Sequence, residues 1–182
     1  MEIRLFFEFL QVAIGNRESL SRELSDNEWQ DIFLLIKKHA LLGVGFTAVE
    51  RLHTKGVVCP AELRIKWYAL AVHIERRNGL LNGLCKKVTE QYEHDGFSTC
   101  ILKGQGNHLN YPDSLRKRRQ CGDIDIWCMP PKEGLDIAVQ TGRDSVEYVK
   151  YHGVKAVIEC SIGYAARTRR HGLFITMWMR LP

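Results

Sequence analysis

Residues 123–129 read Asp-Ile-Asp-Ile-Trp-Cys-Met, and that alternation constrains the fold more than any other stretch of the chain. Side chains alternate across a β-strand, so Ile124 and Ile126 fall on one face and Asp123 and Asp125 on the other. The isoleucines need a core. The carboxylates repel each other unless water separates them or a cation sits between them. Gly122 precedes the run, and Pro130 with Pro131 closes it. A single strand is not stable alone, so the rest of this half must supply partners. "FSTCILKG" (97–104) is β-branched, apolar and bounded by glycines, and reads as one. Val154 to Cys160 reads as another, with a helix expected between them over "KEGLDIAVQ" (132–140).

The first half has the helical period instead. "MEIRLFFEFLQVAIG" resembles a secretion signal in its apolarity. Glu8 interrupts it and no clean small-residue cleavage site follows, so it reads as an amphipathic helix. Ser25 with Glu28 three residues on is a capping-box pattern, and Trp29, Ile32, Phe33 and Ile36 then repeat at helical spacing. Gly43 and Gly45 are expected to loosen or end that helix, and a short one follows from Phe46 to His53. Pro60 suits the start of a long helix reaching about Glu93, with Leu63, Trp67, Leu70 and Ile74 on its buried face. Gly79 and Gly83 suggest a kink or a close helix crossing. The expected fold is therefore α+β: a helical N-terminal region over residues 1–95, then a sheet-containing core over 96–182.

Composition narrows the class. With 45% hydrophobic and 26% charged residues, the 182-residue chain is an ordinary globular one, and no apolar run approaches the roughly 18 residues of a membrane span. A cytoplasmic location is expected. Six scattered cysteines without a CxxC pair read as reduced thiols rather than disulfides or a zinc site. The formal charge of +5 suits a polyanionic ligand such as a nucleotide or RNA, and suits chance almost as well.

Two readings of the aspartates stay open on the strand alone: a solvated acidic face on an edge strand, or a site for a hard cation. Carboxylate oxygens suit Mg²⁺, which keeps several waters and is typically shared between one or two carboxylates and substrate phosphates. The upstream strand ends in "LKGQG", where glycines let the backbone approach a ligand. Lys103 could contact phosphate there, or could snorkel at the strand end. Arg116, Lys117 and Arg118 read as a solvated loop before they read as an RNA-binding patch.

Together these residues resemble a known family. "ILKGQGNHLNYPDSLRKRRQCGDIDIW" is similar to the uncharacterised nucleotidyltransferase family, within the DNA polymerase β-like nucleotidyltransferase superfamily. The resemblance lies in Leu102-Lys103-Gly104, in Tyr111-Pro112, and in Arg119 followed by Gly122-Asp123-Ile124-Asp125. The "KKHALLGVGF" stretch and Trp29 extend it towards the N-terminus. It implies a polymerase β-like mixed sheet after the helical bundle. It also implies metal-dependent transfer of a nucleoside monophosphate from an NTP to an acceptor (protein, RNA or small molecule) with release of pyrophosphate. Asp123 and Asp125 would bind Mg²⁺ or Mn²⁺, and Glu159 on the third strand would complete the metal and catalytic set. Lys103, Gly104, Arg119 and Gly122 would bind the nucleotide. The resemblance fades after about residue 160, as in a shortened or frame-shifted member. That leaves a second expectation: a catalytically inactive remnant that still binds nucleotide or a partner.

Overall fold

The computed structural model describes residues 2–120, 122–129, 155–165 and 170–180; beyond residue 120, side chains are described at 122 and 124–127. The chain is α+β. Helices α1 (Ile3–Ile14), α2 (Asp26–Lys38), α3 (Leu42–Thr54) and α4 (Ala61–His94) precede strand β1 (Ser98–Ile101). A 3₁₀ segment (Gly104–Asn110) and the short α5 (Asp113–Arg116) lead to β2 (Asp123–Met129), β3 (Lys155–Ala165) and β4 (Arg170–Arg180). Two compact units result: Met1–Gly79 with Tyr111–Gln120, and Leu80–Asn110 with Cys121–Pro182. The helix expected over 132–140 lies outside the described residues.

The first unit is built on apolar faces at helical spacing. Phe9 and Val12 of α1, Trp29, Ile32, Phe33 and Ile36 of α2, and Trp67 of α4 enter one core. Trp67 stacks on Phe9 with ring centroids 5.8 Å apart and meets Phe33 edge-on at 5.2 Å. Its indole N–H donates to the Leu42 carbonyl at 2.8 Å, so the buried ring carries no unmet donor. α2 starts as the sequence predicts: Ser25 and Glu28 make the reciprocal capping box.

Its end does not follow expectation. α2 stops at Lys38, and the chain turns at Ala40, which takes φ 56°. The Leu41 N–H returns to the Ile36 carbonyl at 2.9 Å, satisfying a terminal acceptor. Gly43 and Gly45 lie inside α3, where their missing side chains serve packing. A Cβ on Gly45 would stand 2.8 Å from Ile36 and Trp67, and one on Gly43 would stand 2.2 Å from the Arg118 carbonyl oxygen. By contrast, among the described residues a Cβ on Gly79 or Gly83 meets nothing within 4 Å, so no close crossing is seen there.

The "DSLRKRR" stretch is helical at α5, and Arg118 is not a solvated loop residue. Its guanidinium donates to Glu75 at 2.8 Å, to the Thr47 hydroxyl at 3.1 Å and in a fork to Glu50, and it lies 5.7 Å from the Phe46 ring centre. The hydrogen bond to Glu50 is the main cause holding it above its ordinary pKa. Asn78 binds the carbonyls of Lys117 and Arg119 at 2.7 and 2.6 Å. The 111–120 segment is thus fastened into the first unit by side chains that a charge count reads as solvated.

In the second unit, Leu81, Cys85, Val88 and Tyr92 form the buried stripe of the later part of α4, and Tyr92 meets Phe97 edge-on at 5.5 Å. The sheet order is β1-β2-β4-β3. Every pairing among the described residues is antiparallel, where a mixed sheet was expected. β4 lies between β2 and β3 and pairs along both.

Candidate functional site

β2 is an interior strand, with β1 on one side and β4 on the other. Ile124 and Ile126 are fully buried, as the alternation predicts, but Asp125 between them is also only 1% exposed. A solvated acidic face on an edge strand is therefore excluded at Asp125. A carboxylate withdrawn from water needs a cation or several donors nearby. Lys103 brings one: its ammonium lies 3.2 Å from Asp125 Oδ2.

The turn that carries Lys103 is fixed from several directions. The Leu102 N–H donates to the Asp125 carbonyl at 3.0 Å, continuing the β1–β2 ladder by one bond. Gly104 has φ 59°, a left-handed conformation that glycine adopts without a side-chain penalty. Gly106 is required by space: a Cβ there would lie 2.2 Å from the Ile101 carbonyl oxygen. Buried Gln105 donates to Asn82 Oδ1 of α4 at 2.6 Å, and His108 is buried in the same segment. Sequence reasoning missed Gln105, His108 and Asn82. Polar residues in a short turn carry no periodic signal that they are buried, and an exposed Asn82 on a long helix carries none that it bonds to one of them.

The other expected residues are placed as follows. Gly122 is exposed immediately before β2. Asp123 is the first residue of β2, in register with Trp178 of β4. Thr176 of β4 is in register with Asp125 on one side and with Glu159 of β3 on the other. Asp125 and Glu159 therefore share one row of the ladder, two strand spacings or about 10 Å apart across the sheet. Arg119 belongs to the first unit, with its guanidinium carbon 5.9 Å from the Tyr111 ring centre. Lys103, Gly104, Gly122, Asp123, Asp125 and Glu159 all belong to the second.

The sequence model of an uncharacterised nucleotidyltransferase matches residues 25–137, more than half of the chain. The chain belongs to this nucleotidyltransferase family. No curated protein and no solved structure matches it. The span matched by the nucleotidyltransferase family contains the Lys103–Gly104 turn, Arg119 and the Gly122–Asp125 motif, whereas Glu159 lies beyond it.

As a donor set, the D-x-D of this family member fits a hard divalent cation. It offers carboxylate oxygens, one of them on a buried side chain already balanced by a positive charge. Among the described residues, no helix is long and apolar enough to cross a membrane.

Proposed function

We propose that this family member is a metal-dependent nucleotidyltransferase that moves a nucleoside monophosphate from an NTP to an acceptor hydroxyl. The observation that carries the reading is the buried Asp125 carboxylate, two residues from Asp123 in the family motif and 3.2 Å from the Lys103 ammonium. Asp123 and Asp125 would hold the divalent ion, with Glu159 as the third carboxylate. Such an ion, when bound, would offset the charge of the triphosphate and polarise the reacting phosphoryl group.

The chain's own groups do the rest. Lys103 neutralises phosphate oxygens, and Gly104 leaves the backbone open to the triphosphate, with Gly122 doing the same before β2. Glu159 accepts the proton of the acceptor hydroxyl as its oxygen bonds to the α-phosphorus. The bond from that phosphorus to the bridging oxygen breaks, and pyrophosphate leaves with the electron pair. A polymerase β-like arrangement of the sheet belongs to this proposal.

The test is incubation of the full chain with each of the four NTPs labelled at the α-phosphate and Mg²⁺, with the chain itself, RNA and small hydroxyl compounds as acceptors. Label transfer with equimolar pyrophosphate, lost in Asp125→Asn, is the expected result. Magnesium-dependent binding without transfer to any acceptor class would identify a non-catalytic nucleotide binder instead.

A further inference from the structure

Asp125 and Lys103 are mismatched in their surroundings. The Asp125 side chain is 2% exposed, whereas that of Lys103 is 61% exposed, although the two meet at 3.2 Å. The carboxylate is fixed: it sits on an interior strand, and its own backbone carbonyl is held by the Leu102 N–H. The ammonium rides on a flexible four-carbon stem that reaches in from solvent. One partner can leave without disturbing the sheet; the other cannot.

We propose that Lys103 is a displaceable counter-cation. Its ammonium balances Asp125 in the ligand-free chain and moves to the phosphates when a nucleotide arrives, so that a divalent ion binds weakly without nucleotide and strongly with it. This rests on the reading of Asp125 as a metal ligand. A divalent ion that ligates Asp125 meets a like charge already paired with the same carboxylate. A triphosphate removes that opposition, because its oxygens accept charge-assisted hydrogen bonds from the ammonium. Metal and nucleotide then favour each other by more than their direct contact, and the effect is reciprocal. The Lys103–Gly104 turn thereby orders the assembly of the site: nucleotide presence is sensed at the same carboxylate that holds the ion.

The experiment is calorimetric titration of Mn²⁺ alone into the full chain at pH 8. It is repeated in the presence of the NTP that binds best of the four. Lys103→Met and Lys103→Gln are expected to bind Mn²⁺ alone about tenfold more tightly than wild type, and to lose about the same factor from the gain that nucleotide confers. Lys87→Met, an exposed lysine of α4, removes the same charge and should match wild type. Lys103→Arg keeps the charge and clamps the carboxylate with two donors, so it should bind Mn²⁺ alone several-fold more weakly. Thermal unfolding confirms that each variant is folded, and Lys103→Arg carries the test if the neutral variants are not.

Suppose the neutral variants bind Mn²⁺ no more tightly than wild type, or Lys103→Arg binds it as well, while Asp125→Asn abolishes binding. The counter-cation role is then overturned and the metal site stands. Absence of Mn²⁺ binding by the folded wild-type chain, with and without nucleotide, would overturn both readings.

Discussion

Gly106→Ala and Gly83→Ala are chemically the same change in the same compact unit, and they should move stability in opposite directions. At Gly106 the added Cβ would stand 2.2 Å from the Ile101 carbonyl oxygen and 3.0 Å from its carbon. Contacts under 3.0 Å are not tolerated, so the turn or the end of β1 must move by at least 0.8 Å, the difference between 3.0 and 2.2. The obstructing atoms are backbone, which cannot swing aside. Overpacking of this kind costs about 1–3 kcal/mol, and the lower chain entropy of alanine in the unfolded state returns only about 0.4–1. The net expectation is a loss of about 1–2 kcal/mol. At Gly83, inside α4, a Cβ meets nothing within 4 Å among the described residues, so alanine should stabilise by up to about 1 kcal/mol through helix propensity. Urea unfolding followed by Trp127 fluorescence, with the other tryptophans replaced by phenylalanine, reads the second unit. With an m-value of about 2 kcal/mol/M, the two midpoints should separate by about 0.5–1.5 M. Equal midpoints, or a Gly106→Ala variant as stable as wild type, would refute the argument that Gly106 is required by the Ile101 backbone.

Three more predictions concern the first unit. Ala40→Gly should stabilise it by about 0.5–1 kcal/mol in thermal unfolding, because Ala40 holds φ 56° at the end of α2 and glycine adopts that conformation without strain. Arg118→Met should destabilise it by about 1–2 kcal/mol, discounted for the solvent that still reaches Glu50 and Glu75; a double-mutant cycle with Glu50→Gln checks that the loss runs through that pair. The Glu28 carboxyl is lowered from 4.5 to about 2, first by its hydrogen bond from Arg22 and then by the Ser25 backbone N–H. A lowered native value favours the ionised form, so Glu28 stabilises the fold fully above pH 4.5 and ceases to as pH falls towards 2. Glu28→Gln should flatten the fall in stability over that window, as followed by circular dichroism, and an unchanged acid profile would contradict the assignment.

The sequence was most legible where one period ran long enough to bury one face. Trp29, Ile32, Phe33 and Ile36 carried a helix and its core contact together, and Ser25 with Glu28 marked its start. The alternation at Ile124 and Ile126 likewise placed β2 and its buried side. Helix ends were less legible. Ala40, a strong helix former, breaks the pattern by taking a left-handed φ of 56° at the turn after α2, whereas Gly43 and Gly45 continue it because neighbouring atoms need their space. Charge was legible least of all. Arg118 looks like one more cation in "RKRR", and only the fold shows that Glu50 and Glu75, distant in sequence, converge on it. At the site, the motif indicated Asp125 and Lys103 as separate candidates; their 3.2 Å contact is a property of the β1–β2 register, which no local pattern encodes.

The most direct test of the central claim is calorimetric titration of the chain with ATP, GTP, CTP and UTP, with and without Mg²⁺, beside an Asp123→Asn/Asp125→Asn variant of matched thermal stability. The account predicts that at least one nucleotide binds wild type only with Mg²⁺ and does not bind the variant. Nucleotide binding indifferent to both Mg²⁺ and the two substitutions, or no binding by the folded wild-type chain, would contradict it.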